Sequence, residues 1–111
     1  RFAAANGGKY PTMDHAGVYA EILHYLKAVD SLKSDDGTKV VAEMKKLPTD
    51  DILFGKGMVR ADGRKIHPVY LVEVKKPAES KGPYDYYKVL QTIPADKAFR
   101  PLNEGNCPLV K

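Results

Sequence analysis

The stretch K56-GMVRADGRKIHPVYLVEVK-K76 decides how this chain is read. Asp62-Gly63 is a dipeptide suited to tight hairpin turns, and it lies between two runs of extended character. The second run, Val69–Lys75, is β-branched and aromatic enough to form a strand. Its apolar residues fall on both faces in VYLV, which predicts partial burial on two sides. Pro68, which cannot donate to a ladder, marks the start of that strand or an edge. PAESKGP then reads as a loop and YDYYKVLQTI as a third strand, and everything after Pro94 reads as an irregular or briefly helical tail.

Working back from this stretch, the periodicity changes from two to about 3.6. Val18, Ile22, Tyr25, Leu26 and Val29 keep one stripe on a helix over Met13–Leu32. Thr12 is placed as its N-cap, and Asp14 sits in the first turn, where the helix dipole favours a carboxylate. KSDDG breaks the pattern. A shorter helix follows over Gly37–Leu47, with Val40, Val41, Met44 and Leu47 on its apolar face, Asp36 as cap and Pro48 as stop. The expected class is therefore α/β: two helices, a hairpin, a further strand and an irregular tail. Two amphipathic helices need something to cover, and a hairpin is a small platform for them.

The gross numbers agree with one small globular unit. At 111 residues, 43% hydrophobic and 29% charged, the chain suits a single domain with one modest core. The net charge of +4 permits an anionic partner. However, acidic residues are interleaved with the basic ones, which favours a mixed solvated surface over a nucleic-acid face. No apolar run approaches the length of a membrane span.

Motifs of chemistry are scarce. His15 and His24 are nine residues apart on one helix, which turns them about 180° from each other, so they cannot share a metal. The sequence has no His-x-x-x-His or Cys-x-x-Cys, so neither a metal nor a cofactor is expected. Ser31, Ser34 and Ser80 sit in no nucleophile elbow. The Asp50-Asp51 pair reads as a turn or helix cap, and the Gly55–Gly57 segment as a turn before a strand rather than a phosphate loop. Tyr84, Tyr86 and Tyr87 are able to stack on bases or sugars, but half-buried core and edge packing explains them better. The one cysteine, Cys107, stands in NEGNCPLVK and remains open as a free thiol, a catalytic or metal-binding group, or half of a disulfide. Binding, not catalysis, is what remains.

Read together, YPTMDHAGVYAEILHYLKAV, KVVAEMKKLP, the DGR hairpin with VYLVEVKKP and DYYKV, and the closing CPLVK resemble one family along almost the whole chain. It is similar to the C-terminal third of periplasmic substrate-binding proteins of branched-chain amino acid ABC transporters. The resemblance implies a two-lobed, Venus-flytrap type I fold, with a ligand held between lobes and delivered to an ABC permease. It implies a C-terminal fragment, with residues 1–50 flanking one lobe and residues 51–111 giving the hairpin, a hinge-crossing strand and the tail. It places ligand contacts at the entrance to the first helix, on Tyr10, Met13, Asp14 and His15. It also implies that Cys107 pairs with a cysteine earlier in the parent protein, as befits an exported, periplasmic location. A ligand-sensing receptor of the same fold and an independent small interaction domain are the rival readings. As a fragment, the chain is expected to bind ligand poorly and to oligomerise or swap elements through its uncovered apolar faces.

Overall fold

The computed structural model describes residues 1–110; Lys111, the last residue of the CPLVK stretch, lies outside them. A four-residue helix α1 (Phe2–Ala5) leads through a glycine-bearing loop into α2 (Met13–Leu32), followed by α3 (Gly37–Lys46). Then come β1 (Thr49–Asp51), β2 (Gly55–Val59), β3 (Lys65–Ile66), β4 (Val69–Val74) and β5 (Tyr87–Ile93). Both long helices run as the periodicity predicts. Thr12 caps α2, and the Asp36 carboxylate accepts the Lys39 amide at 3.0 Å at the start of α3. Neither α1 nor β1 is announced by a pattern, because four and three residues are too short to show one.

The packing of α2 differs from the expectation. Its buried face consists of Ala20, His24 and Ala28, while Val18, Ile22, Tyr25 and Leu26 point outward, each more than a third exposed. Val40 of α3 is completely buried beneath that small-residue face. Alanines allow two backbones to approach closely, which the bulky stripe would prevent. His24 Nε2 donates to the Met44 carbonyl at 2.8 Å, tying the two helices together. The apolar core of the described residues is thus Ala20, Ala28 and Val40 alone.

The hairpin forms at Asp62-Gly63, but its second arm is short. β2 pairs antiparallel with β1 (Thr49↔Gly57, Asp51↔Gly55) and with β3 (Met58↔Ile66, Val59↔Lys65). Gly63 takes φ +84° inside the turn, as a tight hairpin requires. The extended run then breaks at His67-Pro68, because proline has no amide to offer the ladder. Val69–Val74 leaves the hairpin and pairs instead with β5, from Val69↔Ile93 to Val74↔Tyr87, with an irregularity at Leu71/Val72. The Gly55–Gly57 segment is itself the start of β2, with only Gly55 (φ +66°) in the left-handed region.

The β4–β5 ribbon also corrects the two-sided burial expected of VYLV. Tyr70, Leu71, Val72 and Val74 are all exposed, as are Tyr87, Val89 and Leu90 across from them, since neither strand packs substantially on a helix or on β1–β3 among the described residues. The tyrosines are likewise exposed rather than half-buried: Tyr10, Tyr84, Tyr86 and Tyr87 form a chain of ring contacts 5.0 to 6.3 Å apart. After β5 the tail is irregular, with one short 3-10 turn at Leu102–Gly105. The molecule is elongated, 50 × 36 × 19 Å, with a radius of gyration of 17.2 Å. A compact unit of this length would have roughly 13 Å.

One close approach is specific enough to test. A Cβ on Gly57 would collide with the Ile66 carbonyl oxygen and stand 2.9 Å from Thr49 Oγ1. We expect Gly57→Ala to destabilise the fold by about 1–3 kcal/mol in urea denaturation. Gly37→Ala, which meets nothing within 4 Å at the first position of α3, should be neutral or stabilising by a few tenths to about 1 kcal/mol. Equal midpoints for the two variants would contradict the packing.

Candidate functional site

The α2 N-terminus opens on an apolar groove of about 930 Å³. Phe2, Pro11, Val18, Tyr19, Ile52 and Leu53 line it, with Arg1, Asn6, Asp14 and His15 supplying polar groups. Two of the four expected contact residues, Asp14 and His15, therefore meet on one wall. Tyr10 and Met13 do not line the groove: Met13 is 84% exposed, and Tyr10 packs its ring on Tyr84 at 5.0 Å.

His15 is oriented by the helix cap. Its Nδ1 accepts the Thr12 amide at 3.1 Å and lies 2.9 Å from Thr12 Oγ1. This is the reciprocal half of a capping box, with imidazole in the place usually held by Glu or Gln. An Nδ1 that accepts from an amide leaves the ring proton on Nε2, so the far edge of the ring is a donor. The Phe2 ring meets the imidazole edge-on at 5.1 Å. The Thr12 hydroxyl also reaches Asp14 Oδ2 at 3.5 Å, so one threonine touches both Asp14 and His15.

Ile52 and Leu53 come to the groove from the turn between β1 and β2, and that turn is built by Asp51. Its Oδ1 accepts the Leu53 and Phe54 amides at 2.9 and 2.8 Å, and its Oδ2 takes Lys65 Nζ at 2.7 Å. Burial pushes the Asp51 carboxyl up, but Lys65 and the two amides outweigh it and hold it below the ordinary carboxylate value. The turn-capping expectation for this acidic pair is met at Asp51. Sequence reasoning missed Phe2, Ile52 and Leu53, whose only signal is apolarity outside any periodic run.

A second polar cluster wires the hairpin tip. Arg60 Nε and Nη2 donate to the two Asp62 oxygens at 3.0 and 2.7 Å, and the Arg64 amide donates to Asp62 Oδ1 at 3.2 Å. Arg60 is the main reason that the Asp62 carboxyl falls to about 2. Cys107 is a free, half-buried thiol in the tail. Among the described residues no three His, Cys, Asp or Glu side chains converge as metal ligands, and no helix is long and apolar enough to cross a membrane.

A helical layer, a short sheet and a groove of mostly apolar walls meet at a helix entrance that carries two polar residues, Asp14 and His15. Residues 1–83 match the family model of the periplasmic binding proteins, and the chain belongs to that family. Its fold is similar to a periplasmic binding protein from Burkholderia mallei, with 48% identity and a TM-score of 0.89, over 96% of this chain and 28% of that one. It is also similar to a branched chain amino acid ABC transporter periplasmic ligand-binding protein from Burkholderia xenovorans LB400. There the identity is 44% and the TM-score 0.88, over 96% of this chain and 29% of that one. The chain thus spans less than a third of the length of either structure. No curated protein matches the sequence.

The depressed Asp62 carboxyl carries a pH prediction. Unfolded, the group protonates near 3.8; folded, it stays ionised to about 2. Its stabilisation is therefore complete above the unfolded value and is lost as pH falls through the folded one. Asp62→Asn should be less stable than the parent at pH 7, and the gap should close as pH is lowered from about 5 towards 2. Urea midpoints across that range measure it. A gap independent of pH would contradict the ion pair.

Proposed function

We propose that the parent protein is the solute-binding component of an ABC importer. It holds an amino acid or a small organic acid, aromatic acids included, between two lobes and delivers it to the membrane permease. The observation that supports this most directly is the match of nearly the whole chain to a ligand-binding protein of a branched-chain amino acid transporter, at 44% identity. Its work is binding rather than catalysis, and its place is the periplasm.

In this reading residues 1–50 flank one lobe, and residues 51–111 supply the hairpin, a strand crossing the hinge and the tail. The α2 entrance forms part of the cleft wall. The amides of Met13 and Asp14 lie in the first turn, where no intrahelical acceptor exists, while that of His15 is taken by the Thr12 side chain; the helix dipole favours a ligand carboxylate there. The Nε2 proton of His15 is a further donor, Asp14 suits a ligand ammonium, and Tyr10 and Met13 border the entrance. The ligand closes the two lobes because it contacts both. Cys107 is one half of a disulfide to an earlier cysteine of the parent, stable in that oxidising compartment.

Titration calorimetry of the intact protein against a panel of amino acids and aromatic carboxylic acids tests the reading. We expect one chemical class to bind, with Asp14→Ala and His15→Ala each weakening it about tenfold or more, the worth of one charge-assisted hydrogen bond. The 111-residue chain alone should bind at least a hundredfold more weakly, since it offers only part of one wall. Binding by the isolated chain as tight as by the intact protein, or no binding to any member of the panel, would sink the proposal.

A further inference from the structure

The β4–β5 ribbon stands apart from α2, α3 and β1–β3, which pack on one another. Two chain segments connect it to that body. One is His67-Pro68, immediately before β4; the other begins at Pro94, immediately after β5. Each contains a proline with φ fixed near −65°, so both legs of the ribbon are stiff. At its far end the ribbon touches the body through Tyr84 on Tyr10, a contact between two rings that are each about half exposed.

The returning tail supplies a further restraint. It passes back over the hairpin tip, where Phe99 meets His67 edge-on at 5.6 Å and lies 5.8 Å from the Arg64 guanidinium. His67 in turn packs on Phe54 at 4.9 Å. Beside this stack, Arg60 Nη1 donates to the Arg100 carbonyl at 3.0 Å, a bond spanning forty residues of sequence. The other two functional nitrogens of Arg60 are already committed to Asp62, and both side chains of that pair are largely buried, at 17% and 12% exposure. The guanidinium is therefore held in place whether or not the tail is docked. A planar fork fixed on two sides presents its third donor at no further ordering cost.

We propose that Arg60 is a latch: Asp62 holds its guanidinium rigid on the hairpin, and the free Nη1 clasps the Arg100 carbonyl, strapping the returning tail to the body and fixing the angle of the β4–β5 ribbon. The two halves of the latch differ in strength. Two charge-assisted bonds join Arg60 to the Asp62 carboxylate, whereas a single bond to a neutral carbonyl holds the tail. Tail release thus leaves the hairpin intact and lets the ribbon turn on its two stiff legs. This holds for any ligand and does not depend on the proposed transport role.

Amide hydrogen exchange in the intact protein tests the latch, with Lys97 and Glu104 as reporters because their amides are bonded within the tail, to Pro94 and Pro101. Arg60→Ala should speed exchange at both about tenfold or more, while the β4–β5 ladder stays unchanged. Spin labels at the exposed positions Glu21 and Lys88 should show a wider distance distribution. If Arg60→Ala loosens the whole protein, Arg60→Lys decides: lysine keeps a charge for Asp62 but cannot hold the carboxylate and the carbonyl in one fork. Faster tail exchange together with a wider distribution in Arg60→Lys supports the latch. Unchanged exchange at Lys97 and Glu104, or a loosened tail with an unchanged distance distribution, overturns it.

Discussion

Close approach of α2 and α3 is the constraint on which the body of this structure rests. Ala20 and Ala28 remove side-chain bulk from one face of α2, Val40 fills the space so created, and His24 bonds across to the Met44 carbonyl. Complete burial of Val40 contributes about 1.5–3 kcal/mol. That is a small core for 111 residues. The sheet is held on the same principle of minimal bulk, since β1, β2 and β3 close around Gly57, where no side chain fits.

The counterpart of that small core is the apolar surface it leaves outside. The stripe on α2 and both faces of the β4–β5 ribbon carry bulky side chains into solvent. Contiguous exposed apolar surface of this kind marks a place where other protein packs. The two Burkholderia structures share this fold within chains more than three times as long. The stripe on α2, uncovered among the described residues, is apolar surface of this kind.

The sequence exposed its elements more clearly than their contacts. Both long helices, their caps, the Asp62-Gly63 turn and the β5 strand follow from local rules that act within a few residues. Which face of α2 is buried does not, because periodicity reports where apolar residues are and not what lies opposite them. The break at His67-Pro68 was visible as a proline, yet the decision to pair Val69–Val74 with Tyr87–Ile93 is made by residues some twenty positions away. At the candidate site, Asp14 was legible as a first-turn carboxylate, and Asp14 and His15 as contacts only through the family resemblance. Phe2, Ile52 and Leu53 were not, since they reach the groove from separate segments through tertiary packing. The role of His15 as a capping partner was also hidden, because the familiar signal calls for Glu or Gln at that position.

The ribbon has one more consequence. In β2 both sides of the backbone are engaged, by β1 and by β3. In β4 and β5 each strand spends one side on the other, and among the described residues no strand pairs with the opposite side. Such edges are templates for adding a strand, and apolar faces above and below would reward the addition. Glu73, Lys75 and Lys88 interrupt the apolar run with charge, the ordinary defence of an open edge. The same segment that gives this molecule its reach is therefore where an unwanted strand would join it, and charge placement along the ribbon governs its solubility.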